Sequence, residues 1–183
     1  MNTINENQQN YSFKSSCFEW MEAIIISIIT VAILFSFVFR AVTIVGSSME
    51  NTLLDKDKVI ITDFMYKPNN GDIIVATSKT FSDPIIKRVI AKGGQTLKIN
   101  FSTGDVYVDG QLLNEPYIKT ATVNYEGAEI PEVIPEGYLF VMGDNRLHSK
   151  DSRSPQIGLI DEDDIMGKAQ FIIYPFSRIG GLY

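Results

Sequence analysis

The serine pair Ser47–Ser48 is the first feature of this sequence that could carry out chemistry. It lies beside Gly46 in the stretch T-I-V-G-S-S-M-E-N-T-L, which runs from Thr43 to Leu53. A serine hydroxyl is a weak nucleophile until a positioned base removes its proton. A reaction at this pair therefore needs a base from elsewhere in the chain.

His148 and Lys87 are the candidate bases. His148 is the chain's one histidine, so any Ser-His-Asp arrangement must use it. Lys87 lies in the apolar stretch I-I-K-R-V-I, and alternation along a strand places it on one face with Ile85 and Val89. Such neighbours exclude water from an ammonium group and favour its neutral, basic form. The alternative for Lys87 is a charged residue that protects a sheet edge from aggregation.

The composition argues against several other functions. The 183 residues include 16 Lys and Arg against 22 Asp and Glu, which disfavours a nucleic-acid partner. Cys17 and His148 are the one cysteine and the one histidine, whereas a structural zinc site needs about four ligands. We therefore expect no metal, no cofactor and no internal disulfide.

An uncharged apolar run of 17 residues, Ala23–Phe39, precedes the serine pair. As a helix it is about 26 Å long, close to the roughly 30 Å of a bilayer's hydrocarbon core. Trp20 and Arg40 can extend it to the two interfaces. The sequence therefore predicts a transmembrane helix over residues 20–40, with a buried core helix or a cleaved signal peptide as alternatives. The Asn-, Gln- and Ser-rich residues 1–19 predict a disordered tail.

Residues 41–183 are predicted to form an all-β domain. Their short runs rich in Ile, Val and aromatic residues predict strands at Val59–Phe64, Asp72–Ala76, Ile85–Ala91, Thr96–Asn100, Tyr138–Met142 and Ala169–Tyr174. Asp105–Leu113 predicts a hairpin that turns at Asp109–Gly110. The proline-containing connection Asn114–Gly137 is predicted to be irregular.

Three motifs, in this order, resemble those of the type I (leader) signal peptidases of bacteria, in the short form found in Gram-positive species. A serine followed by methionine after the apolar run is Ser48–Met49, and a lysine-arginine pair within a strand is Lys87–Arg88. The signature G-D-N-x-x-x-S-x-D-S-R is matched throughout Gly143–Arg153. Any one motif means little, but the ordered set is specific.

The resemblance implies a membrane-bound serine endopeptidase built from antiparallel sheets on one transmembrane helix. It implies removal of signal peptides from secretory preproteins, with cleavage after small residues at positions −1 and −3. The expected partners are these preproteins, the lipid bilayer and the translocase. Lys14 before the apolar run and Arg40, Lys56 and Lys58 after it would favour a cytoplasmic domain, but such counts apply to short loops. The resemblance implies an extracytoplasmic catalytic domain in the cell membrane.

By position, the resemblance makes Ser48 the nucleophile, Lys87 the general base and Ser149 the residue that orients the lysine amine. It places Gly46 and Ser47 in the oxyanion-hole region. The remaining matched positions are packing or scaffold residues, namely Met49, Arg88, Asp144, Arg146, Asp151 and Arg153. We expect His148 to be dispensable as a base, and Val42–Val45 and Asp83–Ile86 to form the walls of the peptide site.

The sequence departs from the family pattern in three places. Gly46 replaces a serine whose hydroxyl serves the oxyanion hole in some members, Asn51 replaces a proline, and Ala91–Gln95 replaces G-x-x-G-D. These departures keep open a catalytically impaired homologue that acts as a membrane-anchored assembly factor. A membrane-tethered binding module is the other alternative.

Overall fold

The structure is a computed structural model that describes residues 3–78 and 80–182, with residues 3–17, 34 and 37 described by their backbone alone. It divides into two compact units, Met1–Val38 and Phe39–Tyr183. The first unit contains one helix, α1, Thr3–Val38. The predicted disordered tail lies almost entirely outside the residues with described side chains and stays a prediction.

Helix α1 contains the predicted transmembrane segment. Its side chains from 18 to 33 are exposed. No helix within the described residues has both the length and the apolar character required to cross a membrane. The transmembrane prediction over residues 20–40 is therefore not confirmed.

The second unit is built from antiparallel strands. In chain order they are β1 Phe39–Thr43, β2 Lys58–Thr62, β3 Ile73–Ala76, β4 Ile85–Lys92, β5 Leu97–Asn100, β6 Asp105–Val108, β7 Gln111–Leu112, β8 Tyr138–Met142, β9 Ile160–Asp161, β10 Ile165–Tyr174 and β11 Gly180–Gly181. Within the described residues, the larger sheet has the order β1-β2-β10-β3-β4-β8-β9, with β11 paired to β10. Strands β5, β6 and β7 form a smaller sheet. The all-β antiparallel prediction for this unit is confirmed.

The predicted hairpin is present in the smaller sheet. Asp109 and Gly110 both have positive φ, 51° and 75°, as a two-residue type I′ turn requires. Val108 pairs with Gln111 across this turn. The connection after the hairpin has one isolated bridge, between Thr96 and Val133, and is otherwise irregular as predicted.

Three strands were not predicted from the sequence. Strand β1 begins at Phe39, within the segment predicted to belong to the transmembrane helix. Strands β9 and β11 have two residues each, too few for a readable alternation. Strand β10 begins four residues earlier than predicted, at Ile165, and register shifts interrupt its pairing.

A hydrophobic core fixes the segment that carries Ser48. Met49 and Leu53 flank this serine in sequence, and both are fully buried. They belong to one cluster with Ile44 and with residues of β2, β3, β4 and β10. Because the cluster joins the serine segment to the larger sheet, the fold determines where Ser48 lies relative to β4.

Candidate active site

The turn after β1 presents Ser48. Met49 O accepts hydrogen bonds from Thr52 N at 3.0 Å and Leu53 N at 2.8 Å, and Ser47 O accepts one from Glu50 N at 3.1 Å. Ser48 is half-buried, while Met49 is 1% exposed. The turn therefore presents the serine at the surface and packs the next side chain into the core.

Two departures from the family pattern have a backbone explanation in this turn. Asn51 has a φ of 80°, and Gly46 has a φ of 91°. Proline is held near −65° and cannot adopt the Asn51 conformation, whereas asparagine tolerates it. Asp55 Oδ1 accepts a 2.9 Å hydrogen bond from Gly46 N and fixes the entry to the turn. The backbone at position 51 therefore requires a residue other than proline in this turn.

Lys87 faces this serine from β4. Its Nζ lies 2.8 Å from Ser48 Oγ and 2.8 Å from Ile86 O. Strand β4 is interior, between β3 and β8, and Lys87 is 5% exposed. The alternative that Lys87 protects a sheet edge is therefore wrong.

The pKa of Lys87 is lowered. Burial lowers it from 10.5 to about 8, while the carboxylates of Asp151 and Asp144 act in the opposite direction. Desolvation disfavours the charged ammonium, and its effect on the pKa outweighs that of the two carboxylates. A substantial fraction of the amine is therefore neutral in mildly alkaline solution.

A cavity of about 580 Å³ opens beside the two side chains. Ser48 and Lys87 line it, together with Val42–Val45 and Asp83–Ile86, the two segments expected to form the walls. The remaining lining residues are Val75, Phe81, Ser82 and Lys150. Its aliphatic side chains suit a small apolar ligand group next to Ser48 and Lys87.

The chain matches a family model described as "Signal peptidase, peptidase S26" over residues 17–174. The chain belongs to this signal peptidase family. It is accordingly an enzyme, a serine endopeptidase.

Named relatives agree with this assignment. Signal peptidase I P of Bacillus subtilis subsp. natto is 34% identical over 176 residues, which cover 91% of this chain and 93% of the relative. Signal peptidase IB of Staphylococcus aureus (strain N315) is 34% identical over 183 residues, with coverage of 90% and 93%. A crystal structure of a signal peptidase I from Enterococcus faecalis V583 has 30% sequence identity and a TM-score of 0.48, and covers 56% of this chain and 97% of that one.

The residue next to Lys87 in this signal peptidase is fully paired. Arg88 donates to both carboxylate oxygens of Asp144, at 2.8 and 2.7 Å. It also donates to Gly71 O at 2.7 Å, and its guanidinium lies 3.9 Å from the centre of the Tyr117 ring. Thr52 Oγ1 donates to the same carboxylate at 2.5 Å. Arg88 and Asp144 thus join three parts of the fold: β4, the signature loop (Gly143–Arg153) and the serine turn, which is the turn that carries Ser48.

The other signature charges are also buried and paired. Arg146 binds Glu115, and Asp151 accepts from Arg153 Nε at 2.9 Å and Nη2 at 2.8 Å. Arg146, Asp151 and Arg153 each have a side-chain exposure of 0%. From the sequence, these charges could also have formed ordinary surface ion pairs, and their burial shows that they do not. Charge-assisted bonds in such surroundings hold the loop in one conformation.

Ser149 is buried close to the serine turn. Its Oγ has no hydrogen-bond partner among the described residues. A Cβ at Gly143 would lie 2.2 Å from this Oγ and 2.4 Å from Ser48 O, so only glycine fits there. The described hydrogen bonds of Lys87 do not include Ser149. Its orienting role stays a prediction.

His148 lies outside the cavity that contains Ser48 and Lys87. It is exposed, and its Nδ1 lies 3.3 Å from Asn145 Oδ1. It lines a second, smaller cavity. This placement agrees with the expectation that His148 is not the base.

Several residues that support the site were not identified from the sequence. Glu115 pairs with Arg146 across 31 positions, and Arg178 contacts both Thr52 O at 3.0 Å and the buried Asp57 at 3.1 Å. These partners come from the irregular connection and from the end of the chain. No local pattern marks them, because their roles depend on tertiary contacts.

Proposed function

We propose that this signal peptidase removes signal peptides from secretory preproteins with a Ser48–Lys87 dyad, and that it cuts after small residues at positions −1 and −3. The observation that supports the dyad best is the 2.8 Å separation of Lys87 Nζ and Ser48 Oγ at the wall of a cavity. A nucleophile and its base need this hydrogen-bond distance.

Acylation begins with neutral Lys87. Its Nζ accepts the Ser48 hydroxyl proton while Oγ attacks the carbonyl carbon of the scissile bond. The resulting ammonium keeps a hydrogen bond to Ile86 O, 2.8 Å away. It then gives its proton to the leaving amine as the carbon–nitrogen bond breaks. The signal peptide remains attached to Oγ as an ester.

Deacylation uses the same lysine, first as a base toward water and then as an acid toward Ser48 Oγ. Neutral Nζ accepts a proton from water, and the hydroxide formed attacks the ester carbon. Collapse of the second tetrahedral intermediate breaks the bond to Oγ, and the ammonium returns a proton to that oxygen. One base therefore serves both half-reactions, as in other acyl-transfer peptidases.

The developing oxyanion needs hydrogen-bond donors. Among the described residues, neither the backbone N–H of Ser48 nor the hydroxyl of Ser47 has a hydrogen-bond partner, so both are available. Gly46 contributes no hydroxyl. Loss of one donor in an oxyanion hole costs about 3 kcal/mol in other enzymes. We assign the Ser48 N–H as the main donor, with Ser47 in support.

The peptide is proposed to bind as an extended strand along the walls of the larger cavity. In the strand order of the described larger sheet, β1 comes first and has β2 beside it, so residues 40–43 form an outer edge of this sheet. An added peptide strand can form main-chain hydrogen bonds with such an edge. Alternate side chains, at −1 and −3, would then point into the cavity. The aliphatic walls favour small residues there.

Helix α1 is proposed to anchor the chain in the cell membrane as a single span, with the catalytic unit outside. This proposal is supported by exposed apolar side chains along the helix, such as Trp20 at 72% and Ile28 at 62%. An apolar helix without a polar face needs an apolar environment. Lipid and the translocase are the corresponding proposed partners. Protease accessibility of the catalytic unit in sealed vesicles tests this orientation.

Cleavage of a preprotein by the full chain in proteoliposomes tests the dyad. Wild type, Ser48→Ala and Lys87→Met are compared. The matched controls are Lys98→Met, on an exposed residue of β5, and Ser102→Ala, on an exposed residue of the turn that follows β5. The dyad predicts processing by wild type and both controls, and none by the two site variants. Processing that persists in Ser48→Ala would overturn the proposal. Absence of processing in all five chains would favour the assembly factor or binding module.

A further inference from the structure

A second cavity of about 180 Å³ begins one residue away from the proposed nucleophile. Ser47, Glu50, Lys119, Thr120 and Asn145 line it, and Leu147 and His148 complete its wall. It shares no lining residue with the larger cavity. Its volume suits one amino-acid side chain.

Hydrogen bonds connect the lining of this second cavity to the backbone of the turn that carries the proposed nucleophile. Asn145 N donates to Ser48 O at 3.0 Å, and Asn145 Nδ2 donates to Ser47 O at 3.1 Å. Another lining residue, Lys119, donates its backbone N–H to Asp144 O. Because these bonds connect lining residues to the turn that carries Ser48 and to the signature segment Gly143–Arg153, the cavity keeps a fixed position relative to Ser48 Oγ.

The lining of the second cavity is polar. Glu50 accepts hydrogen bonds from Asn145 Nδ2 at 3.2 Å and from Lys119 Nζ at 3.4 Å. Thr120 Oγ1 is buried and has no hydrogen-bond partner among the described residues. A buried hydroxyl without a partner is unfavourable. A ligand group that can donate or accept a hydrogen bond would satisfy it.

The alternation of an extended peptide indicates which residue enters this cavity. If the residues before the scissile bond lie in the larger cavity, those after it leave Ser48 on the side of Ser47. Side chains at −3, −1 and +2 lie on the same face of an extended strand. The +2 residue is therefore the first residue beyond the scissile bond whose side chain faces the enzyme.

We propose that the cavity lined by Ser47, Glu50, Lys119, Thr120 and Asn145 binds the side chain of the second residue of the mature protein and selects a polar one. This inference rests on the proposed function. An apolar side chain would leave Thr120 Oγ1 unpaired and remove water from Glu50 and Lys119. Sites built for hydrogen bonding discriminate strongly against analogues that lack the bonding group.

Two matched preproteins test this subsite, one with Gln and one with Leu at +2. The full chain in proteoliposomes should cleave the Gln substrate with a kcat/KM about tenfold higher. The same exchange at +1 should change kcat/KM less than twofold. Thr120→Val keeps the shape but removes the hydroxyl, and should abolish the preference. Thr120→Ser should retain it, and Thr103→Val, an exposed control in the turn between β5 and β6, should not alter it.

The outcomes separate the subsite from the proposed function. Cleavage that depends on Ser48 but has equal kcat/KM for the two +2 substrates would reject the subsite alone. An unchanged preference in Thr120→Val would reject the assignment to this cavity. If Thr120→Val does not fold, the wild-type contrast between +2 and +1 still decides the inference. Cleavage that does not require Ser48 would reject the proposed function as well.

Discussion

Lys87 and Arg88 are consecutive buried cations of β4 with opposite surroundings. Arg88 is 1% exposed and binds both oxygens of Asp144. Lys87 is 5% exposed, and its described hydrogen bonds go to a hydroxyl and a carbonyl oxygen. The same depth of burial therefore produces a fixed charge in one residue and a lowered pKa in the other.

This difference shows how two neighbouring residues of one strand can have different roles, Arg88 in stability and Lys87 in the proposed chemistry. A carboxylate in direct contact would raise the pKa of Lys87 and keep its amine protonated, so that it could not accept a proton. Asp144 and Asp151 oppose the depression of its pKa, but Arg88 and Arg153 bind their oxygens directly. The arginines thus bind the carboxylates that would otherwise hold the Lys87 amine in its protonated form.

Removing the amine should have the largest effect. Lys87→Met should lower kcat/KM by about 10⁴-fold or more, because the Ser48 hydroxyl then has no base. The loss should lie in kcat, while the KM for a preprotein changes little. Steady-state cleavage of a preprotein measures both, with Lys98→Met as the control. A loss confined to KM would place Lys87 in binding.

Removing the neighbouring guanidinium should instead reduce stability. Arg88→Met leaves Asp144 buried without its counter-charge and should lower the free energy of unfolding by about 3–5 kcal/mol. Denaturant unfolding of the full chain in detergent measures this change. In the double variant Arg88→Met/Asp144→Leu, much of the loss should be recovered, because no buried charge remains unpaired. An equally large loss in the double variant would contradict this explanation.

Lys87→Met should have the opposite effect on stability. The lowering of the Lys87 pKa from 10.5 to about 8 corresponds to roughly 3 kcal/mol against the folded state. The unfolded chain keeps the proton up to its higher pKa, so this penalty is complete below pH 8 and is relieved between pH 8 and 10.5. At pH 7 the variant should therefore be about 1–3 kcal/mol more stable than wild type. Unfolding of both chains across this pH range tests whether their difference shrinks.

An exposed ion pair should have the smallest effect. Arg40 and Asp63 approach to 3.6 Å, with side-chain exposures of 55% and 39%. Such pairs contribute little because water and salt screen them, so Asp63→Asn should change the free energy of unfolding by less than about 1 kcal/mol. The same denaturant measurement, repeated at high salt, checks it. A change comparable to that of Arg88→Met would show that burial is not what separates these pairs.

The sequence predicted the catalytic unit well where local patterns were strong. Alternating apolar runs located β2, β3, β4, β5 and β8 to within about two residues, and Asp109–Gly110 located the hairpin. The apolar stretch around Lys87 correctly suggested that its amine is desolvated. Met49 was expected to pack, and it is buried in the core.

Other features depend on contacts that no local pattern contains. Glu115 and Arg178 reach the site only through the tertiary fold. The departure at Ala91–Gln95 had no explanation in the sequence, but Gln95 accepts from Lys92 N at 3.0 Å and donates to Asp109 at 2.8 Å. Gln95 therefore links the turn after β4 to the hairpin of β6 and β7. The positive φ of Asn51 was also unpredictable, because it reflects the packing of the whole serine turn.

The pH dependence of kcat/KM for preprotein cleavage tests the central claim most directly. Because the proposed mechanism uses neutral Lys87 as the base, the rate should rise with pH through an apparent pKa near 8, the value that burial gives this amine. His148→Ala should show the same apparent pKa as wild type. A rise centred near 6.5, the usual pKa of histidine, that disappears in His148→Ala would contradict the account.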